Sequence, residues 1–262
     1  TKRMNEESLM RSRIRKILMI CSNYDAFALE EDGRIENQVR SEYRELNLSN
    51  PPKFIWANSS QQAREIVSSE TEVDMIICMF NEQDKGIFPF ASELKEEGRG
   101  IPFVLLIHYS KAVRQRVLES PRPGVDFVFS WHGNADLILA IVKLLEDAAN
   151  ADNDVFEVGV KGILLVEDSI RYYSNYLPEL YKIVLTQSRE FLKESLNEDQ
   201  KKYRKRSRPK IFLATCLEEA LAYFKKYGRN LLGVISDVGM VVHKGDDPKT
   251  EKLDAGIDLV KV

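Results

Sequence analysis

Short apolar runs alternate with longer amphipathic stretches along most of the chain. The runs have the length and composition of strands buried on both faces of a parallel sheet. In the first half they cover residues 17–20, 53–57, 74–80, 102–107 and 126–129. Helix-length stretches lie between or after them, at residues 60–68, 111–118 and 135–149. This alternation predicts an α/β fold built around a parallel sheet.

The same pattern begins again after a polar stretch at residues 150–157. Three further strands are predicted at residues 161–166, 210–214 and 231–236, with helices from 170 to about 205, at 217–227 and at 256–261. We therefore interpret the chain as an internal repeat of two domains, at residues 14–149 and 160–262. The second copy is expected to be incomplete, with its last two strands beyond Val262.

The long helix predicted from residue 170 exceeds the usual length of a helix in such a fold. Pro178 lies inside it and predicts a kink or a break, because proline lacks the backbone donor. Its broad apolar face includes Val184 and Phe191. The surplus length is expected to pack on the first module or on a second copy of the chain, as a homodimer.

Composition and charge narrow the function classes. The 262 residues carry a net charge of −3 with 44% hydrophobic residues, which is ordinary for a globular protein and indicates neither nucleic acid nor membrane as a partner. The basic run at residues 201–210 is interpreted as a solvated helix end. The isolated cysteines Cys21, Cys78 and Cys216 predict buried, reduced thiols, which fits a cytoplasmic location.

Acidic residues follow two of the strands predicted in the second module. Glu167 and Asp168 come directly after its first strand, and Asp237 closes its third. Because the carboxyl ends of parallel strands share one edge of the sheet, these side chains are expected to lie together. Adjacent carboxylates favour a divalent cation, and a few hard oxygen ligands suit Mg²⁺. The alternative is a set of solvated acidic residues with no metal.

These residues also carry a resemblance to a known family. The segments ILLVEDS at residues 163–169 and GVISDVGM at 233–240 resemble the first and third strands of two-component response-regulator receiver domains. The resemblance implies two flavodoxin-like, doubly wound sheets in tandem, the second truncated at its C-terminus. It further implies Mg²⁺ held by Glu167, Asp168, Asp237 and the backbone carbonyl of Gly239, with Asp237 as the phosphoacceptor. A histidine kinase or another phosphodonor would then be a partner.

The first module shares the layout of this family but lacks its acidic residues. Alignment of the two copies puts Cys21 and Ser22 at the positions of Glu167 and Asp168, and Met79 at the position of Asp237. A thioether neither binds Mg²⁺ well nor forms an acyl phosphate. Residues 14–149 are therefore interpreted as a pseudo-receiver. Two other carboxylates, Asp25 and Asp84, stand at offsets that do not fit the strand ends.

A second resemblance concerns the context of the chain. Residues 24–34 and 42–48 are similar to the N-terminal regulatory region of proteins related to phosphoenolpyruvate synthase and pyruvate phosphate dikinase. This implies a regulatory region with a downstream catalytic domain as a further partner.

Together these patterns predict a signal-transduction protein rather than an enzyme. It would act in phosphorelay, with the phosphoacceptor in its second receiver and the first receiver serving protein interaction. Two alternatives remain at this point, a non-phosphorylated scaffold or dimerisation region and a metal-dependent phosphatase that uses Asp237. The phosphatase is disfavoured because such enzymes place a second acid where Gly239 stands.

Overall fold

The computed structural model describes residues 11–22, 35–45, 48, 50–69, 72–108, 122–133, 135–193, 208–247 and 250–261. Contacts between Cα atoms divide the chain into two compact units, Arg13–Leu139 and Ala140–Val262. Ser12 belongs with the second unit, where its backbone exchanges two hydrogen bonds with the side chain of Asn150, at 2.9 and 2.7 Å. Each unit is an α/β structure with a parallel sheet, as the alternating pattern predicts.

The first unit contains a five-stranded parallel sheet in the order β2-β1-β3-β4-β5. Its strands are β1 (Lys16–Ile20), β2 (Lys53–Ala57), β3 (Met75–Met79), β4 (Phe103–His108) and β5 (Phe127–Trp131). Its helices are α1 (Ile35–Glu45), α2 (Ser60–Ser68), α3 (Ile87–Glu96) and the start of α4 (Ala135–Asp152). All five predicted strands are confirmed, whereas α1 and α3 were not predicted. The predicted helix at 111–118 lies outside the described residues.

The second unit contains three parallel strands in the order β7-β6-β8. They are β6 (Gly162–Val166), β7 (Lys210–Ala214) and β8 (Leu231–Ser236), and the helices after α4 are α5 (Ile170–Lys193), α6 (Leu217–Tyr227) and α7 (Ala255–Val260). Stacked rings fill the core under α6, where the ring centroid of Phe212 lies 4.9 Å from that of Tyr227 and 5.3 Å from that of Tyr223. These elements match the predicted ones closely.

The two third strands differ in burial. Every residue of β3 is buried, because β1 and β4 pair with it on either side. Among the described strands β8 pairs with β6 alone, and its apolar residues Leu232, Val234 and Ile235 are exposed. The unpaired edge of β8 is therefore the most apolar exposed strand surface of the described second unit.

The region between the two sheets is helical. Helix α4 runs to Asp152 and is followed by one π-helical turn, Asn153–Glu157, so the polar stretch at 150–157 continues a helix instead of forming a linker. The division between the compact units falls earlier, inside α4. Pro178 does not break α5, which is continuous through it, and the residues predicted to extend this helix beyond Lys193 lie outside the described part.

A buried ionic cluster joins α4 to β7. Both nitrogens of the Arg208 fork donate to the carboxylate of Asp147, at 2.8 and 2.9 Å, and Tyr181 Oη donates to the same carboxylate at 2.9 Å. Lys210 Nζ lies 2.6 Å from Asp154 Oδ2 and 3.6 Å from Asp147 Oδ1. Arg208 and Lys210 belong to the basic run interpreted as a solvated helix end, and for these two residues that prediction is wrong. They are buried because two aspartates of the helical segment compensate their charges.

The three cysteines are buried and free, as predicted from their isolation in the sequence. None of the described helices has the length and apolar composition required to cross a membrane.

Candidate functional site

The edge of the second sheet brings three carboxylates together. β6 and β8 pair in parallel with Val166 opposite Ser236, and Asp237, the residue after β8, donates its N–H to the Val166 carbonyl at 3.0 Å. Glu167, Asp168 and Asp237 therefore emerge side by side, each with one carboxylate oxygen within 4.8 Å of the others. This is the set of side chains that the sequence assigned to a metal site. Three hard oxygen donors at this spacing fit one divalent cation.

The three carboxylates differ in how firmly they are held. Glu167 is buried, with its N–H donating to the Ala214 carbonyl at 3.0 Å and its Oε1 accepting from the Ser169 N–H at 3.1 Å. Half-buried Asp168 accepts a hydrogen bond from the Val241 N–H at 2.9 Å. These two carboxylates are thus both oriented by a backbone N–H before any ligand arrives, and they are less exposed than the third.

Asp237 is the exposed member of the set. Its Oδ1 accepts a hydrogen bond from the Val238 N–H at 2.6 Å, and no described residue donates to its Oδ2. One oxygen is therefore positioned while the other remains accessible to a reactant. This asymmetry suits a nucleophile better than it suits a purely structural carboxylate.

The electrostatics of the cluster favour a cation. The pKa of Glu167 is raised to about 7, mainly by burial and in addition by the nearby charges of Asp237, Asp168 and Glu251, whereas the hydrogen bond from the Ser169 N–H lowers it. Burial also raises the pKa of Asp168, and Asp237 adds to that effect. Among the described residues no Lys or Arg forms an ion pair with any of the three carboxylates. Repulsion between the carboxylates is therefore not relieved by the described side chains.

Two glycines shape the backbone around Asp237. Gly239, predicted to offer its carbonyl to the cation, is buried, and no described residue donates a hydrogen bond to that carbonyl. A Cβ on Gly256 would stand 2.3 Å from the Asp237 carbonyl oxygen, so only glycine allows α7 to approach the site this closely. A carbonyl two residues after Asp237 that accepts no hydrogen bond from the described residues is a further oxygen of the kind that hard cations prefer.

The equivalent edge of the first sheet has different chemistry. There Ile20 pairs with Cys78 as Val166 pairs with Ser236, so Cys21 and Met79 occupy the positions of Glu167 and Asp237. Cys21 and Met79 are buried, and neither offers a carboxylate. Within the described part of this unit the sheet edge therefore lacks the acidic donor set.

Of the two other carboxylates noted in the first module, Asp25 and Asp84, only Asp84 is among the described residues, and it does not supply the missing acidic donors at this sheet edge. Asp84 is bound to the start of α2, because it accepts hydrogen bonds from Ser60 N and Ser60 Oγ, both at 2.6 Å, and from Gly86 N at 3.0 Å. Asp25 lies outside the described residues.

One acidic residue near the site was not predicted. Glu251 belongs to the loop between β8 and α7, and its Oε1 would lie 2.4 Å from a Cβ placed on Gly239. It stands 14 residues after Asp237 in the sequence, at the far end of a polar loop. No spacing rule associates such a position with a strand end, so only the folded loop shows the proximity.

Comparison with known proteins adds no family assignment. No protein-family model matches the chain. No match is found among curated proteins either.

Proposed function

We propose that this chain is a phosphorelay signalling module whose second unit accepts a phosphoryl group on Asp237 with the help of Mg²⁺. The observation that carries the proposal is the convergence of Glu167, Asp168 and Asp237 to within 4.8 Å at one sheet edge. The accessible Oδ2 of Asp237 and the unbonded carbonyl of Gly239 support it. The resemblance of both flanking strands to receiver domains supports the same assignment.

The proposed reaction is a phosphoryl transfer to a carboxylate. Asp237 Oδ2 attacks the phosphorus of an acyl phosphate or phosphohistidine, a new O–P bond forms, and the bond from phosphorus to the donor breaks with its electron pair leaving on the donor. When bound, Mg²⁺ would neutralise charge developing on the phosphoryl oxygens. Glu167 and Asp168, held by the Ser169 and Val241 amides, would supply its carboxylate ligands. The Val238 N–H fixes Asp237 Oδ1 and so aims Oδ2.

The first unit is proposed to be a flavodoxin-like pseudo-receiver that serves protein interaction. Its strand order, β2-β1-β3-β4-β5, is that of flavodoxin-like sheets, and β7-β6-β8 repeats the first three positions of that order. Buried Cys21 and Met79 leave it without the carboxylates that the transfer requires. A fold retained without its chemistry fits a role in recognition of other proteins.

Labelling by a small phosphodonor tests the proposal. We expect acetyl phosphate, in the presence of Mg²⁺, to add one phosphoryl group per chain, detected by intact-mass spectrometry, and beryllofluoride to bind at the same site. Asp237→Asn should abolish both signals, because an amide oxygen is a far weaker nucleophile. Asp254→Asn is the matched control, since Asp254 is an exposed acid that precedes α7.

The possible results separate the competing functions. Labelling that needs Mg²⁺ and Asp237 but not Asp254 supports the phosphoacceptor. Complete absence of labelling and of beryllofluoride binding in the wild type would favour the non-phosphorylated scaffold. Labelling that persists in Asp237→Asn would refute the assignment of the nucleophile.

A further inference from the structure

The loop between β8 and α7 folds back on itself beside the acidic edge. Met240 and Lys252 form an antiparallel bridge, in which Met240 N donates to the Lys252 carbonyl at 3.2 Å and Lys252 N donates to the Met240 carbonyl at 2.9 Å. The bridge places Glu251, the residue before Lys252, alongside Gly239. Eleven residues separate Gly239 from Glu251 in the sequence, yet their contact is fixed by backbone hydrogen bonds.

The carboxylate of Glu251 lies over the backbone of Gly239. A Cβ added to Gly239 would stand 2.4 Å from Glu251 Oε1 and 3.2 Å from its Cδ. Gly239 is also the residue whose carbonyl accepts no hydrogen bond from the described residues. Glu251 therefore lies next to Gly239, whose carbonyl oxygen is the one backbone ligand proposed for the cation.

Glu251 has no compensating partner among the described residues, whereas two other acids of this segment, Asp246 and Asp258, have one. Asp246 accepts the His243 N–H at 2.9 Å, and Asp258 pairs with Lys252 and Lys261. No described cation pairs with Glu251, although its side chain is exposed and Lys252 follows it directly. Its carboxylate remains available to a ligand.

We propose that Glu251 is a positioning residue for the divalent cation, its carboxylate accepting hydrogen bonds from water that the cation retains. This inference rests on the proposed function of the same site. Its Oε1 lies beside Gly239 and outside the group of three whose oxygens all lie within 4.8 Å of one another, so it contacts the hydration shell rather than the ion. Mg²⁺ keeps several waters in protein sites, and groups that bind such outer ligands strongly affect metal affinity.

A calorimetric titration of the full chain with Mg²⁺ alone tests this role. We expect Glu251→Gln to weaken Mg²⁺ binding about 10-fold, the lower end of the loss typical for outer-shell partners. Glu251→Asp, which keeps the charge but withdraws the carboxylate, should fall between the two. Asp254→Asn removes the same charge from the same loop and should bind like the wild type. The difference in Mg²⁺ affinity between Glu251→Gln and the wild type should persist in about 1 M KCl, where charges more than about 3 Å apart in solvent are largely screened.

The same titration separates failure of this inference from failure of the proposed function. Absence of Mg²⁺ binding in the wild type, or equal binding by Asp237→Asn, would overturn both. A wild type that binds, an Asp237→Asn variant that does not, and a Glu251→Gln variant within twofold of the wild type would overturn the role of Glu251 alone. Equal losses in Asp254→Asn and Glu251→Gln would also overturn it, because general loop charge would then explain the effect.

Discussion

The three carboxylates of the acidic edge differ in their burial and in the backbone groups that hold them. Glu167 is buried and its carboxylate accepts the Ser169 N–H, Asp168 is half-buried, and Asp237 is exposed with one oxygen that accepts no hydrogen bond from the described residues. Burial favours the neutral form of a carboxyl group and raises the pKa of both Glu167 and Asp168. The arrangement therefore combines two less exposed carboxylates, the proposed metal ligands, with one exposed carboxylate, the proposed nucleophile.

The raised pKa of Glu167 predicts how stability depends on pH in the metal-free protein. Its pKa is about 7 in the folded chain, against an ordinary value of 4.5. The folded state therefore binds a proton more tightly than the unfolded state, and the free energy of unfolding should decrease as pH rises from about 4.5 to 7. The full contribution is of the order of 1–3 kcal/mol. Urea unfolding in EDTA at a series of pH values measures it.

Glu167→Gln is the control for this pH dependence. The variant lacks the titrating group, so its unfolding free energy should lose that decrease. Saturating Mg²⁺ should flatten the wild-type profile, because the bound cation stabilises the ionised carboxylate. Equal slopes in wild type and Glu167→Gln without metal would show that another group is responsible.

At the residue scale, sequence reasoning works where a strand end defines the position. Glu167, Asp168 and Asp237 could be predicted because each directly follows a short apolar strand, and parallel pairing brings such residues together. Arg208 and Lys210 were misinterpreted because their burial depends on a carboxylate more than 60 residues away in the sequence, Asp147. A basic run gives no sign of such a partner.

At the scale of elements, the apolar runs define the strands well and the polar segments mislead. The bounds of β2, β7 and β8 follow the predicted runs, since period and length identify a buried strand. The polar stretch at 150–157 is helical because the buried side chains of Asn150 and Asp154 have partners in the second unit. Pro178 is tolerated inside α5 although proline usually interrupts a helix.

The ionic cluster between α4 and β7 predicts a large effect of a single change. Burial alone would raise the pKa of Asp147, but the charges of Arg208 and Lys210 and the hydrogen bonds from Arg208 and the Ile211 N–H hold it below its usual range. Asp147→Asn would leave the buried Arg208 without its counter-charge, at a cost of about 3–5 kcal/mol in unfolding free energy. Chemical denaturation at neutral pH measures the loss.

A surface pair on the same helix supplies the matched control. Asp152 also pairs with a basic side chain, Lys226, but both are at least half exposed. Asp152→Asn should therefore cost less than about 1 kcal/mol. If the two variants destabilise the chain equally, the buried cluster has no special role. A carboxyl group with a depressed pKa contributes stability that is lost as pH falls through that pKa. If the unfolding free energy of the wild type decreases at acid pH and that of Asp147→Asn does not, the role of the buried cluster is supported.

At the scale of the whole molecule, the question is where the second unit begins. The sequence predicts the boundary in the polar stretch at 150–157, whereas contacts place the division between Leu139 and Ala140. Asp147 binds Arg208 and the Ile211 N–H, and Asn150 binds Ser12, all within the second unit. The second half of α4 is thus connected to the sheet of β6 and β7 by buried polar contacts.

Hydrogen exchange on the intact chain distinguishes these boundaries. Because buried contacts join residues 143–152 to β7, we expect their amides to exchange with free energies similar to those of β6 and β7. In Asp147→Asn the amides of 143–152 and of β7 should exchange faster together, while those of β1 and β3 keep their wild-type rates. Faster exchange in 143–152 without any change in β7 would instead place this segment outside the second unit, as a boundary at 150–157 requires.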